Sequence, residues 1–313
     1  MSSRAEGAPV GTAPATPTRL SLAEWRAAIV RAFRRFLADD CMGLAQQVAY
    51  SSLLAFFPAV VFLVGLLGLV DGYDDLRDFL APIAPADVLT TIDTLEADAT
   101  GAAASLAFVL GAAGAVWAAS GAMGTVIKAV NTAYELVETR PFWKTRLTAI
   151  VLVALTGLVT AGLFLLIVFG GPLGTAIANA AHLGGAFELL WAIVRWPLAF
   201  LAVLLFFALV YYLAPNRDLR RWQWITPGSI VGAAIWLALS GLFALYTSLS
   251  DSYAKTYGAL ASGIVLLLWL NYSAFALLFG AELNSELDRQ AEIRAAGGPN
   301  AGLTKPSRRP ERG

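Results

Sequence analysis

From Thr256 to Ala281 the chain runs 26 residues, TYGALASGIVLLLWLNYSAFALLFGA, without one Asp, Glu, Lys or Arg, then breaks into a charged stretch from Glu282 to Arg294. The hydrocarbon core of a bilayer is about 30 Å thick, and a helix rising about 1.5 Å per residue crosses it with about 20 apolar residues. This run can only be a membrane-spanning helix, and five earlier stretches share its character. The spans are predicted at about 44–70, 101–127, 147–170, 196–214, 226–250 and 257–281. The expected fold is all-α, a polytopic bundle of six transmembrane helices over residues 41–288.

Composition agrees. The 313 residues are 58% hydrophobic and 14% charged, with mean hydropathy +0.66, against about 25% charged in soluble domains. Zero net charge argues against a nucleic-acid partner, which wants a basic excess. A single cysteine, Cys41, and a single histidine, His182, leave no multi-cysteine or histidine-cluster metal site. There is no G-x-x-x-x-G-K-[ST] phosphate loop, so any transport is not driven by an ATP site of this chain's own. No cofactor, metal or catalytic residue is expected. The expected partners are membrane lipids, with a homo-oligomer left open.

Residues 1–20 are rich in Pro, Ala, Thr and Gly and read as a disordered tail. Residues 21–40 read as an amphipathic helix. Leu22, Trp25, Ile29, Phe33 and Phe36 share one arc, while Arg31, Arg34 and Arg35 lie opposite. That pattern fits a helix in the membrane interface with anionic headgroups on its basic face, and equally a helix packed on the bundle. The first span has a polar front half (Gln46, Gln47, Tyr50, Ser51, Ser52), expected to face other helices or a cavity, and Pro58 farther on. Residues 71–98 form an acidic outer loop with a short amphipathic helix at 88–98. The second span is almost all Gly, Ala and Ser, which lets backbones approach closely. After the third span the sequence GGPLG (170–174) breaks the run, and an outer loop with His182 follows. The fifth span opens with the G-x-x-x-G of Gly228 and Gly232. A basic tail, disordered, occupies 289–313.

Charge asymmetry sets the orientation. With both termini cytoplasmic, 19 of the 22 basic residues lie inside, leaving Arg77, Arg195 and Lys255 outside. This is the positive-inside pattern, and it predicts a multi-pass membrane protein with both termini inside.

The assembled chain resembles the YihY/BrkB family of bacterial inner-membrane proteins, formerly called ribonuclease BN, over roughly residues 30–290. The resemblance rests on AYSSLLAFFP (49–58), SGAMGTVIKAVNTAYEL with RPFWKTR (120–146), YYLAPNRDLRRWQWITPGSIVGAAIW (211–236) and YGALASGIVLLLWLNYSAFALLFGAELN (257–284). Asn271 departs from it, standing where the family more often has an aromatic residue. The resemblance implies a six-helix inner-membrane fold and no settled activity.

Phosphodiester cleavage wants clustered carboxylates or histidines and a basic track for phosphates. Here the acidic cluster falls on the outer side, so the ribonuclease reading is disfavoured and the chain is read as a non-enzyme. Transport of a lipid-like or amphiphilic molecule is the leading reading. Its candidate polar path is Gln46, Gln47, Tyr50, Ser120, Asn131, Tyr257, Asn271, Glu282 and Asn284, with Tyr246 and Tyr272 as further intramembrane polar groups. Glu282 at a helix end wants a cationic partner, with Lys128, Arg146 and Arg217 as candidates. The alternatives are polar residues acting only as glue between helices, and a non-transporting envelope scaffold.

Overall fold

The structure, a computed structural model, describes residues 22–69, 102–168, 170–180, 184–217, 226–248 and 259–295, with 73, 74, 77, 89, 90, 93, 94 and 182 between them. The regular structure among the described residues is helical, without strands. Eight helices have described bounds: α1 Leu22–Ala38, α2 Cys41–Leu69, α3 Ala102–Ala133, α4 Phe142–Val168, α5 Gly170–Ala180, α6 Gly184–Leu213, α7 Pro227–Ser248 and α8 Ala259–Ala295. Six of them (α2, α3, α4, α6, α7 and α8) are long and apolar enough to cross a membrane.

Local chemistry sets the helix ends. Asp40 takes a left-handed φ of 51° and its Oδ1 accepts the Gly43 N–H at 3.3 Å, capping α2. α3 stops in a Schellman turn: Glu135 has φ 54°, and the Leu136 N–H reaches back to the Asn131 carbonyl at 2.8 Å. α7 starts with Thr226 before Pro227. The Ser229 N–H donates to Thr226 Oγ1 at 3.1 Å while the Thr226 N–H donates to Ser229 Oγ at 3.0 Å, a reciprocal cap.

Three expectations change. GGPLG does not open a loop; it opens α5, because a proline in the first turn of a helix lacks only an amide that would go unpaired there. α6 begins at Gly184 rather than near 196, carrying Glu188, Arg195 and Pro197 within it. α8 also runs on to Ala295, so residues 289–295 are helical. The expected tail 1–20, Ser21, most of the acidic loop 71–98, Tyr257 and residues 296–313 lie outside the described residues.

The six long helices form a closed ring of neighbours in chain order: α2 on α3, α3 on α4, α4 on α6, α6 on α7, α7 on α8, and α8 back on α2. α1 packs chiefly on α8. Such a ring should bury a stripe along each helix, but the buried stripe stops partway. Among the residues whose burial is described, none on α4 is buried beyond Leu152, none on α6 before Ala199, none on α7 beyond Ala233 and none on α8 before Ala274. α2 beyond Ala55 and α3 before Ser120 bury one glycine each, Gly65 and Gly111.

The bundle is therefore packed at the end that gathers Cys41, Asn131, Ala214, Pro227 and Glu282, and loose at the other. In the loose half the helices hold together in pairs. α2 and α3 interlock so that Gly65 sits on the Ala107–Phe108 backbone and Gly111 on that of Val61–Phe62. Trp191 of α6 donates to the Gly170 carbonyl of α5 at 2.5 Å, closing the turn after α4. α7 and α8 exchange two indole bonds, Trp236 to Ser273 at 2.9 Å and Trp269 to Ser240 at 3.2 Å, with the two indoles 6.0 Å apart.

Candidate functional site

The packed end holds the buried polar groups. Glu282 and Glu286, one turn apart on α8, are both completely buried. Facing them are Arg31 and Arg35, also one turn apart, on α1. Arg31 Nε donates to Glu286 Oε1 at 2.6 Å, and Gln290 donates to the same oxygen at 2.9 Å. Glu286 Oε2 lies 3.5 Å from Arg35 Nε and 3.7 Å from Arg289 Nε, within Coulombic reach. Around this pair Ala28 and Ala32 of α1 bury against Leu283 and Leu287, while the Phe36 ring joins the main core 4.4 Å from that of Phe275. The apolar arc of α1 is thus divided: Phe36 faces the bundle while Leu22, Ile29 and Phe33 stay exposed, and Arg31 and Arg35 turn to a carboxylate.

Glu282 is placed differently. The Cys41 thiol donates to its Oε1 at 3.4 Å, and its Oε2 has no hydrogen-bond partner. The half-buried Asp39 carboxyl lies within reach. Burial pushes the Asp39 carboxyl above its ordinary value, repulsion by Glu135 adds to this, and Arg35 opposes it. None of the three expected cations pairs with Glu282. Arg217 lies 4.1 Å over the Tyr134 ring and donates to Asp288 at 2.9 Å. Arg146 stacks 4.3 Å from the Trp117 ring, and Lys128 is exposed.

Asn284 and Asn131, both expected site residues, bind helix ends together. Asn284 Oδ1 accepts the Gly228 N–H at 2.8 Å and its Nδ2 donates to Thr226 Oγ1 at 2.9 Å, tying α8 to the start of α7. Tyr134, buried, also reaches Asn284, and that burial pushes its phenol well above the ordinary value. Asn131 Oδ1 accepts the Asn216 N–H at 2.8 Å, and its Nδ2 donates to Glu138 at 2.9 Å. Arg140 grips Glu138 at 2.6 and 2.8 Å and donates to the Ala214 carbonyl at 2.8 Å. These Arg140 bonds hold the Glu138 carboxyl below its ordinary range. Tyr211 closes the set, its buried hydroxyl donating to the Leu277 carbonyl at 2.7 Å.

The remaining expected residues do not converge on Glu282. Ser120 is buried and returns its hydroxyl to its own helix, at Val116 (2.5 Å) and Trp117 (3.0 Å). Gln46, Gln47 and Tyr50 lie exposed on α2, Tyr50 at 60%. Asn271 is half-buried and Tyr272 and Tyr246 are exposed in the loose half. Glu286, Cys41 and Asp39 were missed in the sequence. The signal for Glu286 was there: two carboxylates four residues apart on one helix match two arginines four residues apart on another. Among the described residues no group of three His, Cys, Asp or Glu could hold a metal ion.

Residues 32–302 match the family described as virulence factor BrkB. The ribonuclease-like protein YfkH of Bacillus subtilis is 28% identical over 262 residues, covering 83% of this chain and 95% of that protein. The UPF0761 membrane protein IL2447 of Idiomarina loihiensis is 24% identical, covering 82% of this chain and 88% of its own length. A UPF0761 membrane protein of Halorhodospira halophila is 26% identical, covering 87% of this chain and 60% of the relative. No solved structure matches.

Proposed function

This chain belongs to the BrkB family of membrane proteins, and on that footing we propose that it moves a lipid-like or amphiphilic molecule across the bacterial inner membrane. The observation that carries the reading is that burial along α4, α6, α7 and α8 is confined to the part of each helix nearer the end that holds Glu282. A bundle sealed at one end and parted into helix pairs at the other has the shape of a carrier caught with one side open. Between parted pairs of apolar helices an amphiphile is the ligand the walls would admit. The sealed end bears the basic residues, so the positive-inside pattern puts it in the cytoplasm and the parted end outside.

Glu282 is the group we assign to coupling. A carboxylate wholly buried with an unpartnered oxygen is a costly arrangement for a bundle that only needs to stand. A proton taken up there would remove the cost of the buried charge, so the Glu282 carboxyl offers a place for a coupling ion.

The test is translocation of fluorescent lipid in liposomes holding the purified protein, beside Glu282→Gln. The wild type is expected to translocate, and the variant to lose activity while keeping its melting temperature. A well-folded wild type that moves no lipid overturns the reading. A non-transporting scaffold is the second reading, favoured by the exposed Gln46, Gln47 and Tyr50 on α2, which a partner protein would cover. The ribonuclease name carried by YfkH is not adopted, since the buried carboxylates lie inside the bundle against arginines, away from any path an RNA could take.

A further inference from the structure

Arg146 belongs to none of the networks above. It stands five residues into α4, at the head of the charge-free run from Leu147, and reaches across to α3. There its Nη2 donates to the Trp117 carbonyl at 2.7 Å, and its guanidinium lies 4.3 Å from the Trp117 ring centre. Trp117 is halfway along α3 and 70% exposed. No carboxylate among the described residues forms an ion pair with Arg146. Below the guanidinium runs an open groove of about 510 Å³, walled by Ala112, Ala113, Val116, Trp117 and Ser120 of α3 and by Ile150 of α4. Ser120 turns its hydroxyl back into its own helix, so apart from Arg146 the lining presents apolar surface.

We infer that this groove is a binding site for an anionic phospholipid, with the phosphate on Arg146 and an acyl chain along the small residues of α3. Three features select that occupant. The groove lies on the outer surface of a membrane bundle, at the seam between the α2/α3 pair and α4, where lipid is the neighbour. Small residues at Ala112 and Ala113 leave room for a chain to lie close to the helix backbone. A guanidinium has five N–H donors in a planar fork suited to phosphate oxygens, and the bond to Trp117 uses one of them. The Trp117 ring and carbonyl hold the fork in place. An uncompensated cation at the edge of a lipid-facing groove wants an anion, and an anionic headgroup supplies one where no carboxylate of the chain does. The site does not depend on transport: a scaffold would hold the lipid equally well.

The test uses the purified full chain in detergent micelles and phosphatidylglycerol with brominated acyl chains, which quench a neighbouring indole. Quenching should saturate, and the Trp117→Phe variant should remove the saturable part, placing the lipid at the groove. Arg146→Gln should weaken binding by about tenfold or more, the range for losing a hydrogen bond to a charged partner. Arg146→Lys should recover part of the affinity, and it stands in if the Gln variant fails to fold. Brominated phosphatidylcholine should quench without the Arg146 dependence. Equal saturable quenching by both lipids, or binding that survives Arg146→Gln intact, overturns the proposal. So does displacement of the lipid by equimolar sn-glycerol 3-phosphate, which would mark a site for a soluble phosphate.

Discussion

The interlock of α2 and α3 gives the sharpest quantitative test. A Cβ built on Gly111 would stand 2.6 Å from the Phe62 amide nitrogen and 2.7 Å from its Cα. Those are backbone atoms and cannot swing aside. With ordinary contact beginning near 3.4 Å, Gly111→Ala must part the two helices by about 0.8 Å over that turn. Overpacking of this kind costs about 1–3 kcal/mol. Alanine also gains about 1 kcal/mol over glycine as a helix former, which blurs a single measurement, so Gly114→Ala serves as its reference. Gly114 lies one turn along the same helix, and its Cβ would meet Pro58 Cβ at 3.4 Å, an ordinary distance. The propensity gain is common to both variants, so their difference isolates the clash. Gly111→Ala is expected to be less stable than Gly114→Ala by about 1–3 kcal/mol, read by reversible unfolding in mixed micelles. Gly65, set against the backbone of Phe108 on the same seam, should couple to Gly111. A separation forced at one glycine partly relieves the other, so the double alanine variant should cost less than the sum of the singles. Equal stability of the Gly111 and Gly114 variants, or strict additivity, would refute the interlock.

Two further outcomes follow from the packed end. Arg31→Ala takes the closest cation from the wholly buried Glu286 carboxylate and should destabilise by about 1.5–3 kcal/mol, whereas Glu286→Ala should cost less, since Arg31 is 41% exposed and Arg35 keeps its 2.6 Å pair with Glu135; faster trypsin cleavage within α1 is the readout, and unchanged cleavage in the Arg31 variant would count against the clamp. Glu138 has its carboxyl held below the ordinary range by Arg140, so its contribution is complete above that range and is lost as pH falls through the depressed value. Melting temperatures taken downward from pH 5 should therefore fall more steeply in the wild type than in Glu138→Gln, and parallel curves would refute the Asn131–Glu138–Arg140 clasp.

Hydropathy alone marks six spans, because nothing but a membrane tolerates 26 residues without charge. The caps were half visible: the small-residue entry at Gly228 and Gly232 foretold close packing, and Gly228 does meet the Gly280 backbone of α8. The α5 helix was hidden because Gly and Pro were read as punctuation, when a proline can just as well begin a helix. The start of α6 was hidden because Glu188 and Arg195 looked like a water boundary, whereas Arg195 lies against Trp196 and along the Gly170 turn. Glu282 was legible as a buried acid. Its surroundings were not, since Cys41 comes to it across 241 positions of sequence and no local pattern carries that pairing. Nor could any periodicity show that the buried stripe of four helices is confined toward one end.

α8 has one more consequence. Its 37 residues make a rod about 55 Å long, against about 30 Å of hydrocarbon. A rod of that length, standing upright, would keep nearly half of itself clear of the oily layer, and the positive-inside pattern puts the two buried acids toward its cytoplasmic end. Arg31 and Arg35 grip the rod there, like a hand on an oar beyond the rowlock. A displacement of α8 at that end would carry α1 with it through these two ion pairs, so the short N-terminal helix is a handle on the long rod.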